Sequence, residues 1–143
     1  MQAVIRRCPH GAPAVISQHS YLESGEPFPT TYYLTCPHAV GRVGRIEDAG
    51  GVDRYRRLAA AQPALRRSLA AAGRHQRRLR RPAAAMVDGG ASLLLGIGGS
   101  AGGGLACLHA HAAFALAHPG YLLGERILAE AAPLFPEHRC CCR

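Results

Sequence analysis

The sequence contains no lysine and no tryptophan, and the missing lysine excludes two large classes of enzyme. Pyridoxal-phosphate enzymes form a Schiff base on a lysine, and P-loop NTPases use one to bind phosphates. The 17 basic residues are therefore all arginines, and the formal net charge is +8. A guanidinium pairs with carboxylate and phosphate oxygens, so this excess favours an anionic partner. The alternative is that genomic base composition has replaced lysine by arginine.

The sequence also lacks a long apolar run. The longest, residues 91–97, is far shorter than the roughly 20 residues that a membrane helix needs. No apolar segment follows Arg6 and Arg7, as one would in a signal peptide. We therefore expect a cytoplasmic protein with no membrane span. In that compartment its six cysteines should be metal ligands or free thiols rather than disulfides.

The N-terminal part of the chain is rich in β-forming residues. Residues 14–16 and 30–35 are short β-branched and aromatic runs on either side of a turn, which predicts two strands and a hairpin. We predict an α+β fold, mostly helical, with this hairpin packed on the C-terminal helices. One domain should span residues 1–136 and a disordered tail residues 137–143, with the cysteines at 140–142 exposed and reactive.

After residue 36 the apolar residues recur with the period of a helix. This periodicity predicts helices within residues 37–81, over 105–118 and over 124–132. Pro63 should begin a new helix, since proline is favoured at the first helical position. The many glycines of residues 88–104 predict a flexible linker.

Three sequence blocks carry a resemblance to a known family. They are residues 7–15 (RCPHGAPAV), 27–37 (PFPTTYYLTCP), and 96–98 (GIG) followed by 106–111 (ACLHAH). In this order they resemble the Domain of Unknown Function 501 family of bacterial proteins, over most of the chain. The resemblance implies no activity, because the family has none established. Where its first block tends to have a second cysteine, this chain has His10, which is also able to bind zinc.

The clearest chemical pattern is a Cys-x-His motif that occurs three times, with a further histidine after the third. Its members are Cys8, His10, Cys36, His38, Cys107, His109 and His111. Zinc takes four tetrahedral ligands from thiolates and imidazoles, so these residues can supply a complete site. We predict one zinc ion on Cys8, Cys36, Cys107 and His111. The other three histidines would orient these ligands or replace the fourth.

The choice of His111 depends on helix geometry. Residues four apart share a helix face, so Cys107 and His111 can bind one ion, whereas Cys107 and His109 should diverge. Two alternatives stay open. The cysteines can be small buried apolar residues. Alternatively, Cys107 can be a thiol nucleophile at a helix N-terminus, with His109 or His111 as its base.

The densest basic segment holds ten arginines between Arg54 and Arg81, with no acidic residue among them. We predict that Arg74, Arg77 and Arg78 bind an anionic partner, which would be polyphosphate, a nucleic acid or an acidic protein. The alternative is a solvated helix face. The leading functional hypothesis is a zinc-stabilised module that binds an anion. The second is a zinc- or thiol-dependent hydrolase of a phosphorylated or acyl substrate. Whether the protein is an enzyme stays open.

Overall fold

The computed structural model describes residues 1–87, 96–100 and 104–141. Within these ranges the chain forms three β-strands, five α-helices and a short 3-10 turn over Ile97–Gly99. Most of the linker predicted at residues 88–104 lies outside the described residues.

The three strands form one antiparallel sheet in the order β1-β2-β3, built from Ala3–Arg7, Pro13–Ser17 and Tyr32–Leu34. The predicted hairpin is the pair β2–β3, in which Val15 lies opposite Leu34. Sequence reasoning missed β1. That strand is an edge strand whose residues are mostly exposed. Its sequence therefore lacks the alternation of apolar and polar residues that indicates a half-buried strand.

The five helices follow in the order in which the sequence predicts helical segments. They are α1 (Pro37–Asp48), α2 (Gly51–Ala61), α3 (Pro63–Val87), α4 (Leu108–Ala117) and α5 (Leu122–Ala131). Gly50, with φ of 82°, separates α1 from α2, and Pro63 begins α3 as predicted. In the described part of the chain no helix is both long and apolar enough to cross a membrane. A cytoplasmic location stays a prediction.

Helix α4 is the centre of the structure. Seven of its ten residues are buried, so it is apolar on nearly every side. It packs against β3, α1 and α5, and the ring of Tyr32 in β3 meets the edge of Phe114 at a centroid distance of 5.6 Å. The prediction of an α+β fold with a hairpin on the C-terminal helices is confirmed.

The segment after α5 folds back over the N-terminal part of the chain. His10 Nε2 lies 2.7 Å from the Pro136 carbonyl oxygen, and His38 Nδ1 lies 3.0 Å from that of Leu134. Cys140 is only 8% exposed, so the expectation that it is exposed is wrong. The reason is that carbonyl groups of this segment find imidazole donors in the two Cys-Pro-His motifs. A domain over 1–136 with a disordered tail over 137–143 stays a prediction.

One arginine of the basic segment is part of the core. Arg80 is 2% exposed, and its guanidinium donates to the carbonyl oxygens of Phe28 at 2.7 Å and Ser20 at 3.2 Å. These hydrogen bonds hold the connection between β2 and β3 against α3. A buried guanidinium is tolerated only when its N–H groups are paired in this way.

We predict that Arg80→Gln lowers the free energy of unfolding by about 2–4 kcal/mol, because it breaks buried charged hydrogen bonds. Urea denaturation measures the change. Arg81→Gln is the matched control: Arg81 is exposed on the same helix, so its substitution should cost less than about 0.5 kcal/mol. Equal losses of stability in the two variants would contradict the structural role of Arg80.

Candidate functional site

Cys107 and His109 meet a carboxylate at the start of α4. Cys107 Sγ, one imidazole nitrogen of His109 and one carboxylate oxygen of Glu47 all lie within 4.8 Å of one another. The expectation that Cys107 and His109 diverge is wrong. Cys107 precedes α4 and has extended backbone angles, φ −141° and ψ 115°, so the spacing rule for helical residues does not apply to it.

Glu47 connects α1 to the first turn of α4. Its Oε1 accepts a hydrogen bond from the backbone N–H of Leu108 at 2.7 Å and lies 3.2 Å from His109 Nδ1. A carboxylate at a helix N-terminus satisfies an otherwise unpaired N–H group and interacts favourably with the helix dipole. Sequence reasoning missed Glu47, because nothing in the spacing of a lone glutamate connects it to a motif 60 residues later.

The imidazole of His109 is held from both sides. Its Nε2 lies 3.0 Å from the carbonyl oxygen of Val40, to which it donates, so Nδ1 faces Glu47 and Cys107. The hydrogen bond with Cys107 raises the pKa of His109 to about 9, with support from the Val40 carbonyl and the charge of Glu47, against the opposing effect of burial.

The pKa of the Cys107 thiol shifts in the opposite direction. Its pKa is lowered, first by the hydrogen bond with His109 and then by the backbone N–H of Ala110, although burial and the charge of Glu47 oppose the shift. In the metal-free protein the site is therefore a hydrogen-bonded thiol–imidazole pair beside a carboxylate, with the thiol pKa lowered and the imidazole pKa raised. Such a group is nucleophilic, and its three members are all ligands for zinc.

A pocket of about 220 Å³ adjoins this cluster. Its walls are mostly apolar and aromatic and come from β3 and the residues before it, from α1 and from the start of α4. The lining residues are Thr30, Tyr32, Tyr33, Leu34, Val40, Cys107, His109 and Ala110. Because the described residues that line it include no charged side chain apart from the Cys107–His109 pair, this pocket favours a small, largely apolar group next to the thiol.

The structure places Cys8 and Cys36 in other surroundings. Cys8 is buried in the connection between β1 and β2. Cys36 directly precedes α1, and its Sγ lies 3.3 Å from that of Cys141. Among the residues that the structure describes, the cluster at the start of α4 is the one set of three potential ligands within 4.8 Å. Metal binding by Cys8 and Cys36 stays a prediction.

His111 and His10 are also separate from the cluster. The His111 side chain is fully buried with Nδ1 2.7 Å from the Tyr121 hydroxyl, and burial lowers its pKa to about 4. Its Nε2 has no hydrogen-bond partner within the described ranges. His111 is therefore a neutral core histidine here, whereas His10 contacts the segment after α5.

The predicted anion-binding arginines lie along α3. Arg74 and Arg78 are exposed and Arg77 is half-buried, and none of the three forms an ion pair with a described residue. By contrast, Arg54 and Arg56 pair with Glu130 and Asp53. Only part of the basic segment is thus free to meet an external anion.

Comparison with known proteins identifies one family. A family model described as "Protein of unknown function (DUF501)" matches residues 4–129 of the 143-residue chain. The match includes Glu47, Cys107 and His109 and ends before the segment that follows α5. No curated protein and no solved structure matches the chain.

We predict that iodoacetamide alkylates Cys107 at neutral pH in EDTA-treated protein, and that His109→Gln slows this reaction several-fold. The substitution removes the main cause of the lowered thiol pKa, so alkylation should keep rising with pH after the wild-type rate has levelled off. Peptide mass spectrometry measures the rate at Cys107. His138→Gln, at an exposed position, is the control and should leave the pH profile unchanged.

Proposed function

Since the chain belongs to the DUF501 family, whose description assigns no activity, we propose a function from the geometry of the site: Glu47, Cys107 and His109 bind one zinc ion next to the pocket. The observation that carries this proposal is the convergence of a carboxylate, a thiolate and an imidazole on one point beside an open cavity.

The distances within the cluster support a tetrahedral metal centre. Two ligand atoms that are each about 2.0–2.1 Å from zinc at a tetrahedral angle are separated by roughly 3.3 Å. His109 Nδ1 and Glu47 Oε1 are 3.2 Å apart. The Val40 carbonyl receives the other imidazole N–H of His109, as is usual for a histidine that binds metal, and this leaves Nδ1 for the ion.

Three protein ligands leave the fourth position of a tetrahedral ion for water, which is the arrangement of catalytic rather than structural zinc sites. A zinc-bound water loses its proton near neutral pH and becomes a nucleophile. The adjoining pocket would hold the substrate, and its mostly apolar walls favour an acyl compound with a small apolar group. We therefore favour the hydrolase among the two hypotheses that the sequence raised, with zinc as the cofactor.

A metal-free thiol hydrolase is the second candidate, favoured by the hydrogen bond between Cys107 and His109, which lowers the pKa of the thiol and raises that of the imidazole. In this mechanism the Cys107 thiolate attacks the carbonyl carbon of an ester, and the imidazolium of His109 protonates the departing alcohol. Water then attacks the thioester, with His109 accepting its proton, and releases the acid and the thiolate. Glu47 would act as a positioning residue for His109.

An anionic partner at the arginines of α3 is compatible with either mechanism. Arg74, Arg77 and Arg78 lie on one helix and have no acidic partner within the described residues. We propose that this arginine surface attracts polyanions through the Coulombic field of its charges. It would draw the protein to its partner without taking part in the chemistry at Cys107.

We predict one zinc ion per chain in protein expressed with zinc, measured by native mass spectrometry and elemental analysis. Cys107→Ser and His109→Gln should each weaken zinc binding by about 100-fold or more, since even residues that only orient a ligand contribute up to that amount. Cys36→Ser is the matched control, because Cys36 lies outside the cluster, and it should retain one zinc ion.

Loss of zinc from Cys36→Ser to the same extent as from Cys107→Ser would contradict the proposed ligand set. It would favour the set of Cys8, Cys36, Cys107 and His111 expected from the sequence. A wild-type protein that binds no zinc, but hydrolyses p-nitrophenyl acetate after EDTA treatment and loses this activity in Cys107→Ser, would favour the thiol mechanism.

For the arginine surface we predict that the triple variant Arg74→Gln, Arg77→Gln, Arg78→Gln elutes from heparin at lower salt than the wild type. Each lost phosphate or sulfate contact also reduces the salt dependence of binding. The charge-matched control replaces the exposed residues Arg6, Arg45 and Arg139 by glutamine. Equal shifts in the two triple variants would show that net charge alone determines retention.

A further inference from the structure

A second and larger pocket lies on another part of the molecule. It has a volume of about 480 Å³ and is formed between α3 and the turn that joins α4 to α5. This volume falls within the range of small-molecule sites, about 300–1,000 Å³. The polar groups on its wall are Ser68, His75 and Arg78 of α3, with His118 and Tyr121 on the facing side.

Two imidazole rings and one guanidinium converge on this pocket. The rings of His75 and His118 lie 4.2 Å apart, with an interplanar angle of 53°. The Tyr32 hydroxyl lies 2.8 Å from Nε2 of His118, so only Nδ1 of that ring is left for a ligand. Neither ring nitrogen of His75 and no guanidinium N–H group of Arg78 has a hydrogen-bond partner in the described part of the chain.

The charges around the pocket are complementary to an anion. No acidic residue is among the described residues that line it. Glu125 contacts the rim, where its Oε1 already accepts the backbone N–H of Gly120 at 2.7 Å. Burial, and to a lesser extent the neighbouring His75, lower the pKa of His118. A bound anion would favour the protonated ring and oppose this shift.

The apolar part of the wall indicates what the anion is attached to. Phe114 is 1% exposed, and its ring meets that of His75 edge-on at 5.6 Å and that of Tyr121 at 5.9 Å. Alanines of α3 and α4 complete the surface. This aromatic and aliphatic surface suits a flat or short apolar group next to the charge.

We propose that this pocket binds a phosphate monoester that carries a small apolar group. A phosphate dianion accepts several donors at once, which suits two imidazoles and a guanidinium better than a carboxylate does. The apolar group packs on Ala71, Ala117 and Pro119, which are the more exposed apolar residues of the wall. The proposal does not depend on the zinc site, and it gives Arg78 a local role beyond its share in the arginine surface.

Calorimetric titration of the full chain with phenyl phosphate tests the proposal. We expect saturable binding of one molecule per chain, weakened about tenfold by Arg78→Gln, as for loss of a charged hydrogen bond. His75→Asn should weaken it as well. Arg81→Gln is the matched control, since Arg81 is exposed about one turn later on α3 but does not line the pocket, and it should change the affinity less than twofold.

Three results would overturn the phosphate site. Equal weakening by Arg81→Gln and Arg78→Gln would show diffuse attraction to α3. Benzoate that binds as tightly as phenyl phosphate would show that a carboxylate suffices. If the wild-type protein is retained on heparin but does not bind phenyl phosphate, the phosphate site in the pocket is ruled out, whereas the proposal for the arginine surface still holds.

Discussion

The backbone N–H of Leu108 donates to the carboxylate of Glu47 at 2.7 Å, and the candidate site is assembled around that hydrogen bond. Helix α4 is buried on nearly every side, so the N–H groups of its first turn are shielded from water and need an acceptor in the protein. Helix α1 supplies one. The same carboxylate also lies beside His109. The hydrogen bond that caps the N-terminus of α4 therefore also brings the potential metal ligands together.

This arrangement makes metal binding and thiol chemistry competitors for the same atoms. In the metal-free protein one proton joins Cys107 and His109 in a hydrogen bond, which lowers the pKa of the thiol and raises that of the imidazole. A zinc ion would take the place of that proton, since it binds the thiolate and the neutral imidazole. The nucleophile would then be a water molecule rather than the sulfur, while the pocket beside it would be the same. Substrate size is therefore less informative about mechanism than the metal content of the protein.

The sequence predicts the fold better than the site. Apolar periodicity and Pro63 locate α3, and the β-rich runs locate the hairpin, because these patterns are local. The site is not local. Cys107 and His109 were identifiable by residue type, but their geometry depends on the residue at which α4 begins, and Glu47 is brought in by packing between α1 and α4. His111 matches the helical spacing for a ligand, and the structure shows it in the core beside the Tyr121 hydroxyl and outside the cluster.

The arginines of α3 also have roles that amino-acid composition does not predict. Arg80 is buried against the carbonyls of the β2–β3 connection, Arg74 faces solvent, and Arg78 lines the larger pocket. Spacing separates Arg80 from the other two, since positions six or two residues apart on a helix do not share a face. Arg74 and Arg78 are four apart and share a face, but only Arg78 is among the residues that line the pocket. A count of charges treats these residues as equal. Their surroundings make Arg80 a structural residue and leave Arg78 available for a ligand. Substituting single arginines therefore distinguishes these roles, whereas the net charge of the protein does not.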